Sequence, residues 1–111
     1  MEKPPLIQFA AVLPKGSIDV DIFLAVHPFQ RELLQRRQLA VTTAGELWVA
    51  TPEDLILLKL LSNRNRDLAD VADILFMQRD LNEMHMRLWA ERFGILDRLN
   101  DQLANRPTER P

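Results

Sequence analysis

Asp19 and Asp21 stand two residues apart in Ile18-Asp19-Val20-Asp21-Ile22. On a strand, that spacing puts both carboxylates on one face, where their oxygens can share a hard cation such as magnesium. A solvated strand face that carries two acids explains the same pattern. Lys59 interrupts Leu55-Ile56-Leu57-Leu58-Lys59-Leu60-Leu61, a run apolar almost all round and therefore expected to be a largely buried helix. A lysine there must reach out to water or meet an acid. At the rim of a cleft it can instead hold a phosphate as a point charge. Next comes Arg64-Asn65-Arg66-Asp67-Leu68-Ala69-Asp70. Asp67 and Asp70 are three apart at a helix start, so they share a face. They read as a cap and its first-turn companion. They read equally as partners of Lys59 or Arg64, bracing the wall of a site.

The elements that must position these residues follow from pattern. Leu6 to Leu13 reads as a strand, Pro14-Lys15-Gly16-Ser17 as a turn, and Ile18 to Ala25 as a second strand. Pro28 suits the first position of a short helix that fades by Arg37. Leu39 to Thr42 and Leu47 to Ala50 are short strands around Ala44-Gly45. Thr51-Pro52-Glu53-Asp54 is a strong helix start: a cap, a first-position proline and two acids at the positive end of the dipole. That helix runs to Ser62. Another spans Asp67 to Gln78, with Leu68, Val71, Ala72 and Leu75 at helical spacing. Asp80 and Glu83 suggest a capping box for a third, ending at Gly94, and Ile95 to Ala104 is the last. This order gives an α+β domain with its helices gathered toward the C-terminus.

Composition narrows the classes. A chain of 111 residues suffices for one domain with a modest core. The net charge of −2 gives no global case for nucleic acid or membrane binding, so only local clusters such as Arg31, Arg36 and Arg37 could serve. With no cysteine, disulfides and thiolate metal sites are excluded, which fits a cytoplasmic protein. Met1 to Pro5 does not read as a signal peptide, and no apolar run could span a bilayer. His27 and His85 have no companion at metal-ligand spacing and read as structural or surface residues. Trp48, Trp89, Phe93, Met77, Met84 and Met86 read as core. There is no phosphate-loop, nucleophile-elbow or zinc-helix motif.

Several segments in succession carry a resemblance. They are Val20-Asp21-Ile22-Phe23-Leu24, then Pro28-Phe29, then a short hairpin, then Thr51-Pro52-Glu53-Asp54-Leu55-Ile56 with Lys59, then Arg66-Asp67-Leu68-Ala69-Asp70-Val71. This succession, from Ile18 to Gln78, resembles the back half of bacterial nucleotidyltransferase-like proteins related to the AbiEii abortive-infection toxins. The resemblance implies a metal-binding acid at Asp21, with Asp19 beside it. It implies a functional set of Lys59, Asp67 and Asp70, with Arg66 standing where that family carries lysine. Magnesium and a nucleoside triphosphate would be the cofactors, with Lys59, Arg64 and Arg66 near phosphate and Asp21, Lys59, Asp67 and Asp70 as the catalytic group. The chain departs from the pattern at Gly16-Ser17, one residue from Asp19, where no helix fits between the glycine motif and the acids. The family's front strand, helix and first two acids are therefore expected to be missing.

The expectation is a truncated nucleotidyltransferase-like domain over residues 1–104. It would have a small mixed or antiparallel sheet in 6–50, helices in 51–104 and a disordered tail at 105–111. Its function would be nucleotidyltransferase-like but catalytically incomplete alone, within a toxin–antitoxin or defence system. The alternative is a non-catalytic module that dimerises or binds a partner protein through an exposed sheet edge, with Leu6 to Leu13 as a contact. A weaker third reading has Arg31, Arg36, Arg37, Arg64 and Arg66 bind nucleic acid such as transfer RNA.

Overall fold

The structure is a computed structural model. It describes the backbone of residues 6–13, 16–23, 28–43 and 45–108, and the side chains of 28–43 and 45–108. The order is β1 (Leu6–Leu13), β2 (Gly16–Phe23), α1 (Pro28–Arg36), β3 (Gln38–Thr42), β4 (Gly45–Val49), α2 (Pro52–Ser62), α3 (Asn65–Met77), α4 (Glu83–Phe93) and α5 (Leu96–Ala104). This is the α+β class, with small antiparallel sheets and a helical C-terminal part. Each sheet is a two-stranded hairpin, β1 with β2 and β3 with β4. Leu24 to His27 lie outside the described residues, so the expected end of the second strand at Ala25 falls there.

The helix starts and stops follow local chemistry. Thr51 Oγ1 accepts from Asp54 N at 3.2 Å, capping α2 as its sequence suggests. Asn63 closes that helix in the left-handed conformation, and Gly94 closes α4 the same way. Two starts differ from expectation. Helix α3 begins at Asn65 with Arg64 at the cap, so Asp67 sits inside the first turn and reaches back to Arg64 N at 3.0 Å. Helix α4 is capped by Asn82, whose Oδ1 accepts from His85 N, and Asp80 takes no part. An amide oxygen adjacent to the helix does this job better than a carboxylate two residues earlier.

Helix α2 is the hub, touching α3, α4 and α5. Its near-continuous apolar circumference explains this: Ile56, Leu57 and Leu60 are fully buried, and Leu55, Leu58 and Leu61 are half-buried. Helix α1 contributes Phe29, fully buried and edge-on to Trp89 at 5.0 Å and Phe93 at 5.2 Å between ring centroids. Val71, Leu75, Met86, Ile95 and Leu99 complete the interior. Past α5, Arg106 donates to Leu75 O at 3.0 Å and so ties the chain back to the end of α3.

Half of the expected aromatic and methionine core is not core. Trp89, Phe93 and Met86 are buried, whereas Trp48, Met77 and Met84 are exposed, Met84 by 82%. Met84 lies in the first turn of α4 on its solvent side, and Trp48 lies on a hairpin that, among the described residues, no helix covers at that position. Among the described residues no helix is long and apolar enough to cross a membrane. Phe29→Ala is expected to lower the unfolding free energy by ~3–5 kcal/mol in urea denaturation, and Met84→Ala to change it by less than ~0.5 kcal/mol.

Candidate functional site

On the helical part, buried and half-buried charged side chains assemble in two groups joined by α2. The first forms around Asp54, which is fully buried in the first turn of α2. Arg36, at the end of α1, grips it with Nε and Nη2, each at 2.9 Å, one to each carboxylate oxygen. His85 of α4 places Nε2 at 2.8 Å from Asp54 Oδ1. An ionised carboxylate can only accept, so Nε2 carries the proton. Glu53 next to it accepts from Asn82 N at 3.1 Å, holding the start of α4 against the start of α2. One helix N-terminus thus organises α1, α2 and α4.

The second group joins α2 to α3. Lys59 Nζ lies 2.9 Å from Asp70 Oδ2 and 3.7 Å from Asp67 Oδ1. Asp67 is fully buried and takes a bidentate guanidinium from Arg64, with Nε at 2.6 Å and Nη2 at 3.0 Å. Lys59 is three-quarters buried, so its pairing replaces the water it has lost, while Asp70 stays half-exposed. The structure therefore brings Lys59, Asp67, Asp70 and Arg64 together. Arg66 is exposed on the outer side of the α3 start. Asp19 and Asp21 lie on β2 in register with Ala10 and Gln8, on one face of the hairpin. Their side chains lie outside the described residues, as does His27.

The electrostatics suit a brace. Burial by itself raises the Asp54 carboxyl, but the hydrogen bonds and charges of Arg36 and His85 outweigh it and hold the group below its ordinary 3.8. Asp67 behaves alike: burial raises it, and the Arg64 side-chain and backbone hydrogen bonds, with the charges of Arg64 and Lys59, bring it below 3.8. Carboxylates with this many donors are weak bases, and a lysine shared between two acids has little charge left for a phosphate. Two members of the expected basic cluster, Arg36 and Arg64, are spent on internal acids, which lowers the nucleic-acid reading. Among the described residues no three histidine or acidic side chains group as a metal site.

Sequence reading missed the Arg36–Asp54–His85 group. Asp54 looked like a dipole acid and His85 like a lone histidine, and they are separated by 31 positions, so no local spacing joins them. The second feature it missed is apolar. A groove of about 350 Å³ opens between the end of β4 and the α2–α3 pair, lined by Val49, Pro52, Leu55, Asp73, Ile74 and Met77 among others. It continues onto a hairpin whose strand side chains are nearly all exposed.

Both aspartates have folded-state pKa values below the ordinary 3.8. Between those values and about pH 4 the unfolded chain binds more protons, so stability rises with pH there. Their contribution is complete above about pH 4 and is lost as pH falls through the folded values. The midpoint of urea unfolding is expected to fall on acidification below about pH 4, and to fall much less in Asp54→Asn/Asp67→Asn. At neutral pH Asp54→Asn alone is expected to cost about 1.5–3 kcal/mol, because it leaves Arg36 facing a neutral amide.

Comparison of this chain with protein-family models, with curated proteins and with solved structures finds no match.

Proposed function

We propose that this chain is a nucleotidyltransferase-like protein, of the toxin–antitoxin or defence kind that its resemblance implies. In this reading it is catalytically incomplete on its own and acts by docking another protein chain at a sheet edge. The observation that carries the docking is the β3–β4 hairpin; the side chains of the expected contact, Leu6 to Leu13, lie outside the described residues. Leu39, Val41, Leu47, Trp48 and Val49 are all substantially exposed, Val41 by 79% and Trp48 by 63%. Isolated two-stranded hairpins are marginal in water, and contiguous apolar surface of this kind marks an interaction site. Val49 belongs to the hairpin and to the groove beside it, so the apolar surface is continuous from β4 to α3. An extended segment added to the sheet would gain main-chain hydrogen bonds from the edge and side-chain pockets from the groove.

The catalytic side of the family pattern is used differently. Lys59, Asp67 and Asp70 meet, as the resemblance implies, but with Arg64 they neutralise one another between α2 and α3. Asp19 and Asp21 supply only two acids on one strand, and a divalent ion in phosphoryl transfer needs more oxygen ligands than these. Magnesium and a nucleoside triphosphate would accordingly bind only once a partner adds ligands.

Calorimetric titration of the isolated chain with magnesium and ATP is expected to stay flat at millimolar concentration. A saturable isotherm that Asp21→Ala abolishes would reject the incompleteness. Independently, the native protein is expected to enhance anilinonaphthalene sulfonate fluorescence, and Val49→Asp/Met77→Asp to remove most of the signal. No enhancement by the native chain would reject the docking surface.

A further inference from the structure

We infer that the hairpin's partner is a second copy of this chain, joined antiparallel along β4 about a twofold axis at Leu47. The inference rests on the docking reading above and names its occupant.

Among the described residues β3 and β4 pair only with each other, so each keeps an outer edge of unpaired backbone groups. Proteins that keep such edges apart place lysine, proline or a bulge there. Neither strand has lysine or proline, their register runs without a bulge, and Glu46 is the one charged residue on them. Apart from Glu46, these edges carry none of those blunting residues.

Register then selects the partner. Cross-strand neighbours share a face, so a strand pairing antiparallel with its own copy must have the axis at a residue. With the axis at Leu47, all five residues of β4 pair: Gly45 with Val49, Glu46 with Trp48, and Leu47 with Leu47 of the second copy. An axis at Glu46 would set two carboxylates against each other, and one at Trp48 would leave Gly45 and Glu46 unpaired. The Leu47 register also matches charge. The β3–β4 pairing puts Glu46 and Trp48 on the same face. The Arg37 guanidinium lies over the Trp48 ring on that face, 4.8 Å from its centroid. Each Glu46 would therefore arrive beside Trp48 and Arg37 of the other copy, twice per dimer. Self-pairing of β3 about Ala40 offers no such ion pair. Pairing β3 of one copy with β4 of the next does not close and would propagate into a filament. On the opposite face the two Leu47 side chains meet, flanked by Val49 and the groove.

The absence of cysteine makes the test clean. Cα atoms paired across antiparallel strands lie about 4.5–5.5 Å apart, within disulfide range. The full chain is expected to be a dimer by light scattering at micromolar concentration. Leu47→Cys should oxidise to a covalent dimer. Glu46→Cys should not do so alone but should cross-link to Trp48→Cys when the two are mixed. Glu46→Arg is expected to weaken the dimer about tenfold, and adding Arg37→Glu to restore most of the loss. A strictly monomeric chain would overturn the inference while leaving the dye-binding surface, and so docking of a different protein, standing. A dimer in which Leu47→Cys fails to cross-link, or in which the double charge swap restores nothing, would overturn the register.

Discussion

A carboxylate shut away from water stays ionised only when donors replace the water on both oxygens. Asp54 meets that condition with groups from two other helices: Arg36 at the end of α1 and His85 in α4. Its place in the first turn of α2 adds the favourable end of a helix dipole. The remaining architecture depends on this arrangement. It fixes where α1 ends, and therefore where the chain turns into β3. It also sets the start of α4 against the start of α2, with Glu53 and Asn82 as a second tie. Removing one member leaves the others buried without compensation, which is why such groups cost more to break than to omit altogether.

The Lys59, Arg64, Asp67 and Asp70 group does the equivalent job at the other end of α2. Two helices joined by the short segment around Asn63 need little more than apolar contact to lie side by side. The ion group adds direction, because a bidentate guanidinium on a buried carboxylate accepts one geometry. A residue set that resembles part of a catalytic pattern thus serves as a brace, and the two roles draw on the same chemistry.

The hairpins contrast with the helices. Helical stability here comes from an apolar interior shared by five elements, with α2 at the centre. Among the described residues the β3–β4 hairpin shares little of it, and its tryptophan, leucines and valines are largely exposed. The helical body thus holds the buried interior, and the hairpin beside it leaves its apolar side chains largely exposed.

Much of the fold was legible in the residues. The proline and threonine at the start of α2, the glycine closing α4, and the apolar spacing of α3 and α5 act within a turn or two of chain, and such local physics is written in order along the sequence. The apolar circumference of α2 likewise announced that it would be buried. The alternating strands and the Ala44-Gly45 turn announced the hairpins, though not whether anything would cover them. What lay beyond local pattern was partnership across distance. Trp48 and Trp89 are the same residue type in similarly apolar surroundings, yet one is exposed and the other buried, because only the packing of helices decides which element has a neighbour. Asp54, Arg36 and His85 each had a plausible local role, and only the tertiary fold made them one group. Sequence alone determined the elements, the class and the charged residues available for use. Tertiary structure decided which charges neutralise each other and which apolar faces go uncovered, since both depend on distances that spacing along a chain does not carry.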